Sequence, residues 1–347
     1  MRRATRVGIP IVLVGAIFIY AFPKIADFSQ VWAEARTMTW IEIALLVAAV
    51  VCHLLASWLV MVASLPGSNI WQAMKINQAS TAVANTLPGG GAIGVGVMYD
   101  MYSAYGFSKG AISLSILISG IWNSFLKLGM PVLALALLVA TGNASSGLVA
   151  ASFVGLAILA LAVGMFAGVL SSDRTAYGVG RALSRFVSKM RRLVHKPGLD
   201  VTEQTVQFRR TAIGLIKGRW FHLTSATLVS HLSLFVVLLL ALRYIGVSET
   251  EVSWTEVLAG FALVRLASAL PITPGGLGLV ELGLAAALVT AGGTHSEVVA
   301  AVLVYRALTY MLPIPLGFLA YVTWRKKSVA RRSRAKAAGS VASPGSV

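Results

Sequence analysis

Charged residues are scarce in this sequence of 347 residues. Asp, Glu, Lys and Arg make up 12% of the chain, whereas 57% of it is hydrophobic and the mean hydropathy is +0.81. A soluble domain carries about 25% charged residues. This scarcity excludes an ordinary soluble enzyme and indicates a protein that crosses a membrane several times.

Acidic residues and cysteine are rarer still. Twelve Asp and Glu residues stand against 29 Lys and Arg residues, which gives a net charge of +17. The basic residues cluster in short polar segments, as membrane-flanking loops do, and they form no basic face of the kind that binds nucleic acid. We therefore expect no nucleic-acid partner. The single cysteine, Cys52, excludes an intramolecular disulfide.

Signatures of familiar catalytic sites are also missing. Residues 89–94 have the glycine spacing of a dinucleotide-binding loop, but no strand–helix–strand pattern surrounds them. His222 and His231 are nine residues apart, which is not the spacing of metal ligands on a helix. His53 stands alone on an apolar helix and is interpreted as a core histidine. We expect no metal, no cofactor and no enzymatic activity.

Long apolar segments make up most of what is present. A helix needs about 20 apolar residues to cross a bilayer. The first membrane half, 1–170, holds four segments of this kind, and the second half, 221–324, holds two. They are Val7–Phe22, Ile41–Leu65, Ala111–Thr141, Gly147–Leu170, Phe221–Ile245 and Val298–Trp324.

Three basic stretches predict the orientation of these spans. They are the N-terminus, the segment 171–220 and the tail 325–347; Ser171–Arg219 alone contains eleven Lys and Arg against three Asp and Glu. Because Lys and Arg accumulate on the cytoplasmic side, we expect both termini and the 171–220 loop there. The loop should carry a short amphipathic helix on the anionic inner leaflet. The polar tail is predicted to be disordered.

The stretch Pro271–Glu281 interrupts the apolar sequence with two prolines and three glycines within eight residues. Both residue types disfavour a continuous helix. Non-helical backbone at membrane depth survives only where it is buried in protein or lines a wet cavity. The stretch therefore predicts a break between two half-helices at a functional site. A surface loop between two ordinary spans is the alternative.

A similar break occurs 186 residues earlier, after the polar half-helix Ile70–Thr86. The interval superposes three residues of the first break on three of the second, and one later glycine on another. We predict an all-α, polytopic membrane bundle with two re-entrant broken-helix hairpins related by an inverted repeat. Eight full spans, or a coincidence between two glycine-rich turns, are the alternatives. The superposed pairs are Pro88 and Pro274, Gly89 and Gly275, Gly90 and Gly276, and Gly106 and Gly292.

Polar side chains inside apolar segments suggest a binding site, because intramembrane charges need partners. Glu281, one turn into the outgoing half-helix, has three open roles: a helix cap, a counter-ion to Arg265 or Arg306, or a contact to a cationic lipid head group. Asn123 and Lys127 follow Ser119 at intervals of four residues, so they share one helix face.

Two motifs resemble the lysylphosphatidylglycerol synthase transmembrane-region family, which includes the flippase domain of the multiple peptide resistance factor. They are Pro-Gly-Gly-Leu-Gly-Leu-Val-Glu at 274–281 and Val-Tyr-Arg-Ala-Leu-Thr-Tyr at 304–310. The resemblance covers roughly Met38 to Trp324. It implies site roles for Tyr305 and Arg306, since the Tyr-Arg pair recurs in the family. Lysyl transfer in that family belongs to a separate cytosolic domain, so we expect no transferase activity.

Residues and resemblance together predict a flippase-like protein of a bacterial cell membrane, which moves a phospholipid or lipid-linked head group. The alternative is a membrane enzyme or accessory factor in cell-envelope glycolipid (polyprenyl-sugar) assembly. Expected partners are membrane lipids, the anionic inner leaflet, and a second copy of the chain or a separate envelope enzyme. The candidate substrate-binding residues are Asn85, Pro88, Gly89, Gly90, Asn123, Lys127, Arg265, Pro274, Gly275, Gly276, Gly278, Glu281, Tyr305 and Arg306.

Overall fold

The computed structural model describes residues 38–87, 89–141, 146–193, 197–268 and 274–326, together with residues 33 and 36. Within these ranges the chain is helical and has no strand. The first predicted span, Val7–Phe22, lies outside them, as does nearly all of the tail. Five helices are long and apolar enough to cross a membrane: Trp40–Ser64, Lys109–Ala140, Phe153–Ser171, Thr202–Ile245 and His295–Lys326. The predicted all-α polytopic membrane protein is confirmed.

Ten helices are described. Capping boxes begin three of them, because Thr39, Asn69 and Ser253 each bond to the backbone of an acidic or amide residue three positions later. The last helix contains a π-helical turn at Ala307–Met311. The helices are α1 Trp40–Ser64, α2 Ile70–Thr86, α3 Gly90–Ala104, α4 Lys109–Ala140, α5 Ser146–Ser171, α6 Asp173–Leu193, α7 Thr202–Ile245, α8 Trp254–Ala267, α9 Leu279–Thr290 and α10 His295–Lys326.

The first broken stretch is a hairpin of α2 and α3 that enters and leaves on one side. The connections before α2 and after α3 lie together, since a Cβ atom placed on Gly67 would lie 3.8 Å from the ring of Phe107. Glycines bring the two helices close along their length. A Cβ atom on Gly94 would lie 2.7 Å from the backbone oxygen of Ser80, a distance that real Cβ atoms do not adopt.

The second broken stretch is also a hairpin, formed by α8 and α9. The loop before α8 touches the loop after α9: a Cβ atom on Gly292 would lie 2.9 Å from the backbone oxygen of Glu251. The hydroxyl of Thr294 also donates to the Glu251 carboxylate at 3.4 Å. Chain entry and exit therefore share one side, as a re-entrant hairpin requires.

The two hairpins open on opposite faces, and α7 shows this because it runs from one opening to the other. Arg219, midway along α7, donates to the backbone oxygen of Val62, three residues before the loop that enters the first hairpin. Arg243, near the other end of α7, donates to the backbone oxygens of Val247 and Val252, in the loop that enters the second hairpin. An inverted repeat predicts this arrangement.

Backbone conformation repeats at the interval of 186 residues. Gly89 and Gly275 both have positive φ, at 67° and 56°, and so do Gly106 and Gly292, at 93° and 118°. The helices that follow the hairpins, α4 and α10, also begin 186 residues apart, at 109 and 295. Four helices of the first half, α1–α4, thus correspond in order to α7–α10.

The segment 171–220, predicted as a loop with a short helix, has a different local structure. It consists of α6 and the first part of α7, which continues past residue 220 into the membrane as one helix of 44 residues. The segment Phe221–Ile245 is therefore the second part of a longer helix. Apolar residues hold the first part in place: Val206 is buried with Val169 and Ala176. Arg209 adds an ion pair of 2.7 Å with Asp173.

The orientation predicts a labelling pattern. In a Cys52→Ser background, a cysteine at Thr250 should react with an impermeant thiol reagent in intact cells, whereas a cysteine at Gly178 should not. The reason is that the basic helix α6 should face the cytoplasm and the acidic loop before α8 should face outward. Both positions are exposed. Both should react after lysis, and labelling of the Gly178 site in intact cells would reverse the orientation.

Candidate functional site

The tips of the two hairpins meet inside the bundle. The turn Pro274–Gly276 packs against α2 and α3. Asn85, in the last turn of α2, and Tyr310, in the π-helical turn of α10, join the two halves through two hydrogen bonds. The Tyr310 hydroxyl donates to the backbone oxygen of Asn85 at 2.5 Å, and the Asn85 amide donates to the backbone oxygen of Tyr310 at 3.2 Å.

A buried ion pair lies at this junction. Arg306 Nε donates to Glu281 Oε1 at 2.6 Å, and the two side chains are 7% and 6% exposed. The Arg306 guanidinium also donates to the backbone oxygen of Gly275 at 3.3 Å and lies 4.3 Å from the centre of the Tyr310 ring. The other Glu281 oxygen accepts from the backbone of Gly278 at 2.7 Å. Glu281 is thus both a helix cap and the counter-ion of Arg306.

Glycine is required at the tip of the second hairpin. Gly275, Gly276 and Gly278 have φ values of 56°, 73° and 80°, in the left-handed region that side chains disfavour. Gly275 is also crowded, because a Cβ atom there would overlap the ring of Tyr310 and lie 2.9 Å from Asn85 Oδ1. The structure therefore explains the glycine motif through backbone conformation and close contact.

At the first hairpin only part of the motif can be placed. Pro88 lies outside the described residues. A Cβ atom on Gly90 would lie 2.5 Å from the backbone oxygen of Val83, so this glycine permits the tight turn from α2 into α3. A Cβ atom on Gly89 would meet nothing within 4 Å. The two tips are therefore alike in conformation but differ in how closely other residues surround them.

A cavity of about 110 Å³ lies between α1, α2 and the π-helical turn of α10. His53 Nδ1 is 2.8 Å from the backbone oxygen of Ser230, and the hydroxyls of Ser57 and Ser230 are 2.9 Å apart. The oxygen of the Gln78 amide is buried without a partner among the described residues. A cavity with these walls can hold several water molecules. Its polar lining residues are His53, Ser57, Asn77, Gln78, Thr81 and Thr309.

A group of cationic and imidazole side chains lies between α4, α7 and α8. The charge of Arg265, on α8, acts on Lys127 of α4 and on His231 of α7. Arg265 Nε and His231 Nε2 are buried and have no hydrogen-bond partner in the part of the chain that the structure describes. Glu281 is already engaged by Arg306, so the alternative pairing of Glu281 with Arg265 is not formed.

The remaining predicted residues take different positions. Asn123 donates to the backbone oxygen of Ser119 in its own helix at 2.8 Å and is not brought to the junction of the hairpins. Tyr305 is buried in the main apolar core, next to Arg306 in sequence, where the charge of Arg265 acts on it. The junction therefore unites Asn85, Gly275, Gly278, Glu281 and Arg306, while Lys127 and Arg265 form a separate group.

Sequence reasoning missed several residues of this region. Tyr310 follows Arg306 by four residues, so helical spacing alone places the two side chains on one face. Asn77 and Thr81 have the same spacing on the polar half-helix. The interpretation of His53 as a core residue is wrong in one respect, because it is only half-buried and lines the cavity. Within the described ranges, no three His, Cys, Asp or Glu side chains could hold a metal ion.

Comparison with known proteins gives one match. The sequence model of a family described as the lysylphosphatidylglycerol synthase TM region matches residues 8–317, which is most of the chain. No curated protein and no solved structure gives a significant match.

Proposed function

We propose a transport function on the premise that the chain belongs to the lysylphosphatidylglycerol synthase transmembrane-region family, a family of membrane domains. The protein is a flippase-like translocase that moves a phospholipid or lipid-linked head group across the cell membrane. One observation carries the proposal: two re-entrant hairpins, which enter from opposite faces, meet beside a polar cavity inside the bundle. Transporters built from inverted repeats bind their substrates where such half-helices meet.

The energetic basis of the proposal is the replacement of water. A polar head group is costly to move into hydrocarbon unless hydrogen-bonding partners replace its hydration shell. His53, Asn77 and Thr81 supply such partners from two helices at the cavity wall. The acyl chains stay in the surrounding lipid. The activity involves no covalent chemistry.

The proposal includes a conformational change. Pockets that enclose small molecules measure about 300–1,000 Å³. The cavity of about 110 Å³ is smaller, so a complete head group enters only when α1, α2 and α10 separate. The π-helical turn Ala307–Met311 contributes Leu308 and Thr309 to the wall, and π-helical turns occur frequently at functional sites.

The proposed orientation places α6 on the cytoplasmic leaflet. A groove on this helix is lined by Arg185, Lys189 and Arg192, which suits contact with anionic lipid head groups. Both chain termini belong to the same side in this proposal. Membrane lipids are the proposed partners.

Lipid movement in reconstituted vesicles tests this function. Vesicles that contain the wild-type protein and fluorescent phosphatidylglycerol or phosphatidylethanolamine should expose inner-leaflet probe to dithionite quenching, whereas protein-free vesicles should not. Asn77→Leu removes a cavity amide that makes no side-chain hydrogen bond within the described residues. It should slow movement about tenfold, since a lost hydrogen bond changes a free energy by about 1 kcal/mol.

The matched control is Ser124→Leu on the exposed side of α4, where the serine bonds only within its own helix. This variant should transport like the wild type. If wild-type vesicles are indistinguishable from protein-free vesicles with both probes, the transport proposal is wrong. Equal rates for Asn77→Leu and the wild type would remove the cavity from the path.

A further inference from the structure

Two cations inside the bundle have no counter-charge among the described residues. Lys127 and Arg265 form no salt bridge there, whereas Arg306 has Glu281. We propose that Lys127 and Arg265, together with His231, bind a phosphate group. The inference rests on the proposed transport function and deepens it, because it assigns the part of the head group that is held inside the membrane.

The position of these residues makes an unpaired state costly. Lys127 lies eighteen residues into α4, about 27 Å from the start of a helix that is about 48 Å long. Arg265 lies in the last turn of α8, next to the broken stretch, and α8 packs against α4. The partial negative charge at the end of α8 offsets only part of one positive charge. Two buried cations that repel each other require an anion.

The described carboxylate of this region is not available. Glu281 uses one oxygen for Arg306 and the other for the backbone of Gly278. His231 adds another unused polar atom. Its Nδ1 lies 3.0 Å from the backbone oxygen of Thr227, which leaves the buried Nε2 for a ligand.

The combination of groups favours a phosphate. A guanidinium, an ammonium and an imidazole approach from three different helices, so they suit an anion with several oxygens in a tetrahedral arrangement. The polar cavity lies close by, because His53 at its wall bonds to Ser230 and feels the charge of Arg265. The phosphate belongs either to a lipid head group or to free phosphate, and the chemistry of the site is the same for both.

Thermal unfolding of the purified protein, followed by tryptophan fluorescence, tests the site. The probes are dihexanoylphosphatidylglycerol, inorganic phosphate and dihexanoylglycerol, which lacks phosphate. A phosphate-bearing probe should raise the Tm of the wild type, and dihexanoylglycerol should not. Lys127→Met and Arg265→Met should each weaken the apparent affinity about ten- to hundredfold, as expected for a lost charge-assisted hydrogen bond.

Lys109→Met is the matched control, because this lysine is exposed at the start of α4. It should bind the probes like the wild type. Stabilisation by the lipid alone assigns the site to a lipid phosphate, and stabilisation by inorganic phosphate as well assigns it to free phosphate too. The proposal is overturned if no phosphate-bearing probe exceeds dihexanoylglycerol, or if Lys127→Met and Arg265→Met bind as the wild type does.

A second measurement needs no ligand. Without probe, Lys127→Met should keep or raise the Tm, because it removes one of two repelling charges. A clear fall in Tm that Asp27→Asn reproduces would identify Asp27, which lies outside the described residues, as the counter-ion of Lys127. That result would overturn the proposal.

The vesicle assay separates this inference from the transport function. Lipid movement by the wild type without any phosphate-dependent stabilisation contradicts the phosphate site alone. Phosphate-dependent stabilisation without lipid movement contradicts the transport function alone.

Discussion

Glutamine in place of either Glu281 or Arg306 should lower the free energy of unfolding by about 3–5 kcal/mol, because each change leaves the other charge buried without a partner. The pair is almost inaccessible to solvent, and its charged atoms are 2.6 Å apart. Glu281→Gln keeps an oxygen that can accept from the backbone of Gly278, so its effect reports mainly the lost charge. Unfolding in detergent, measured by heat or by denaturant, checks this prediction.

The double variant distinguishes a coupled pair from two independent residues. Glu281→Gln combined with Arg306→Gln should be more stable than the sum of the single effects predicts, since no charge is then left uncompensated. Coupling energies of contacting residues are about 0.5–3 kcal/mol. The control is Arg210→Gln, which breaks an ion pair with Asp173 whose side chains are 63% and 47% exposed. Exposed pairs contribute about 0–1 kcal/mol. Additive single effects would contradict the pair.

Alanine at Gly275 should be the most damaging change in the glycine motif. Positive φ alone costs a residue with a side chain about 1–2 kcal/mol. The new methyl group would also overlap the Tyr310 ring and crowd Asn85, and overpacking adds about 1–3 kcal/mol. Gly275→Ala should therefore lower the free energy of unfolding by about 2–5 kcal/mol and weaken the junction between the two hairpins.

Gly89→Ala is the matched control, because it changes the corresponding residue of the other hairpin. Gly89 has a φ of 67°, close to the 56° of Gly275, but a Cβ atom there meets nothing within 4 Å. Only the conformational cost of about 1–2 kcal/mol should remain. If the two variants unfold at the same temperature, the close packing of Tyr310 and Asn85 around Gly275 does not stabilise the protein.

Hydropathy and local residue chemistry determined the class and much of the architecture. Apolar segments identified all five spans that the structure describes, and clustered glycine and proline identified both hairpins. These features are readable because a backbone inside a membrane must satisfy its own hydrogen bonds, so each crossing is a helix and each break needs permissive residues. Capping boxes located the start of three helices. The likeness of the two breaks indicated the repeat.

Sequence reasoning reached the candidate site only in part. Glu281 was identified as a cap and as a counter-ion, but two arginines on different helices were equally available to it. Tyr310 and His53 had no assigned role, although one closes the junction and the other lines the cavity. The α7 helix also continues through a boundary that the charge distribution had suggested at residue 220.

Tertiary structure alone decided which polar groups meet. Inside a membrane, helices associate through close packing and specific hydrogen bonds, and neither leaves a signal in the hydropathy of one helix. Gly94 and Gly275 permit contacts that bring α2, α3 and α10 together, and those contacts place Arg306 rather than Arg265 beside Glu281. The depth of each charge was therefore readable from the sequence, whereas its partner depended on how the helices pack.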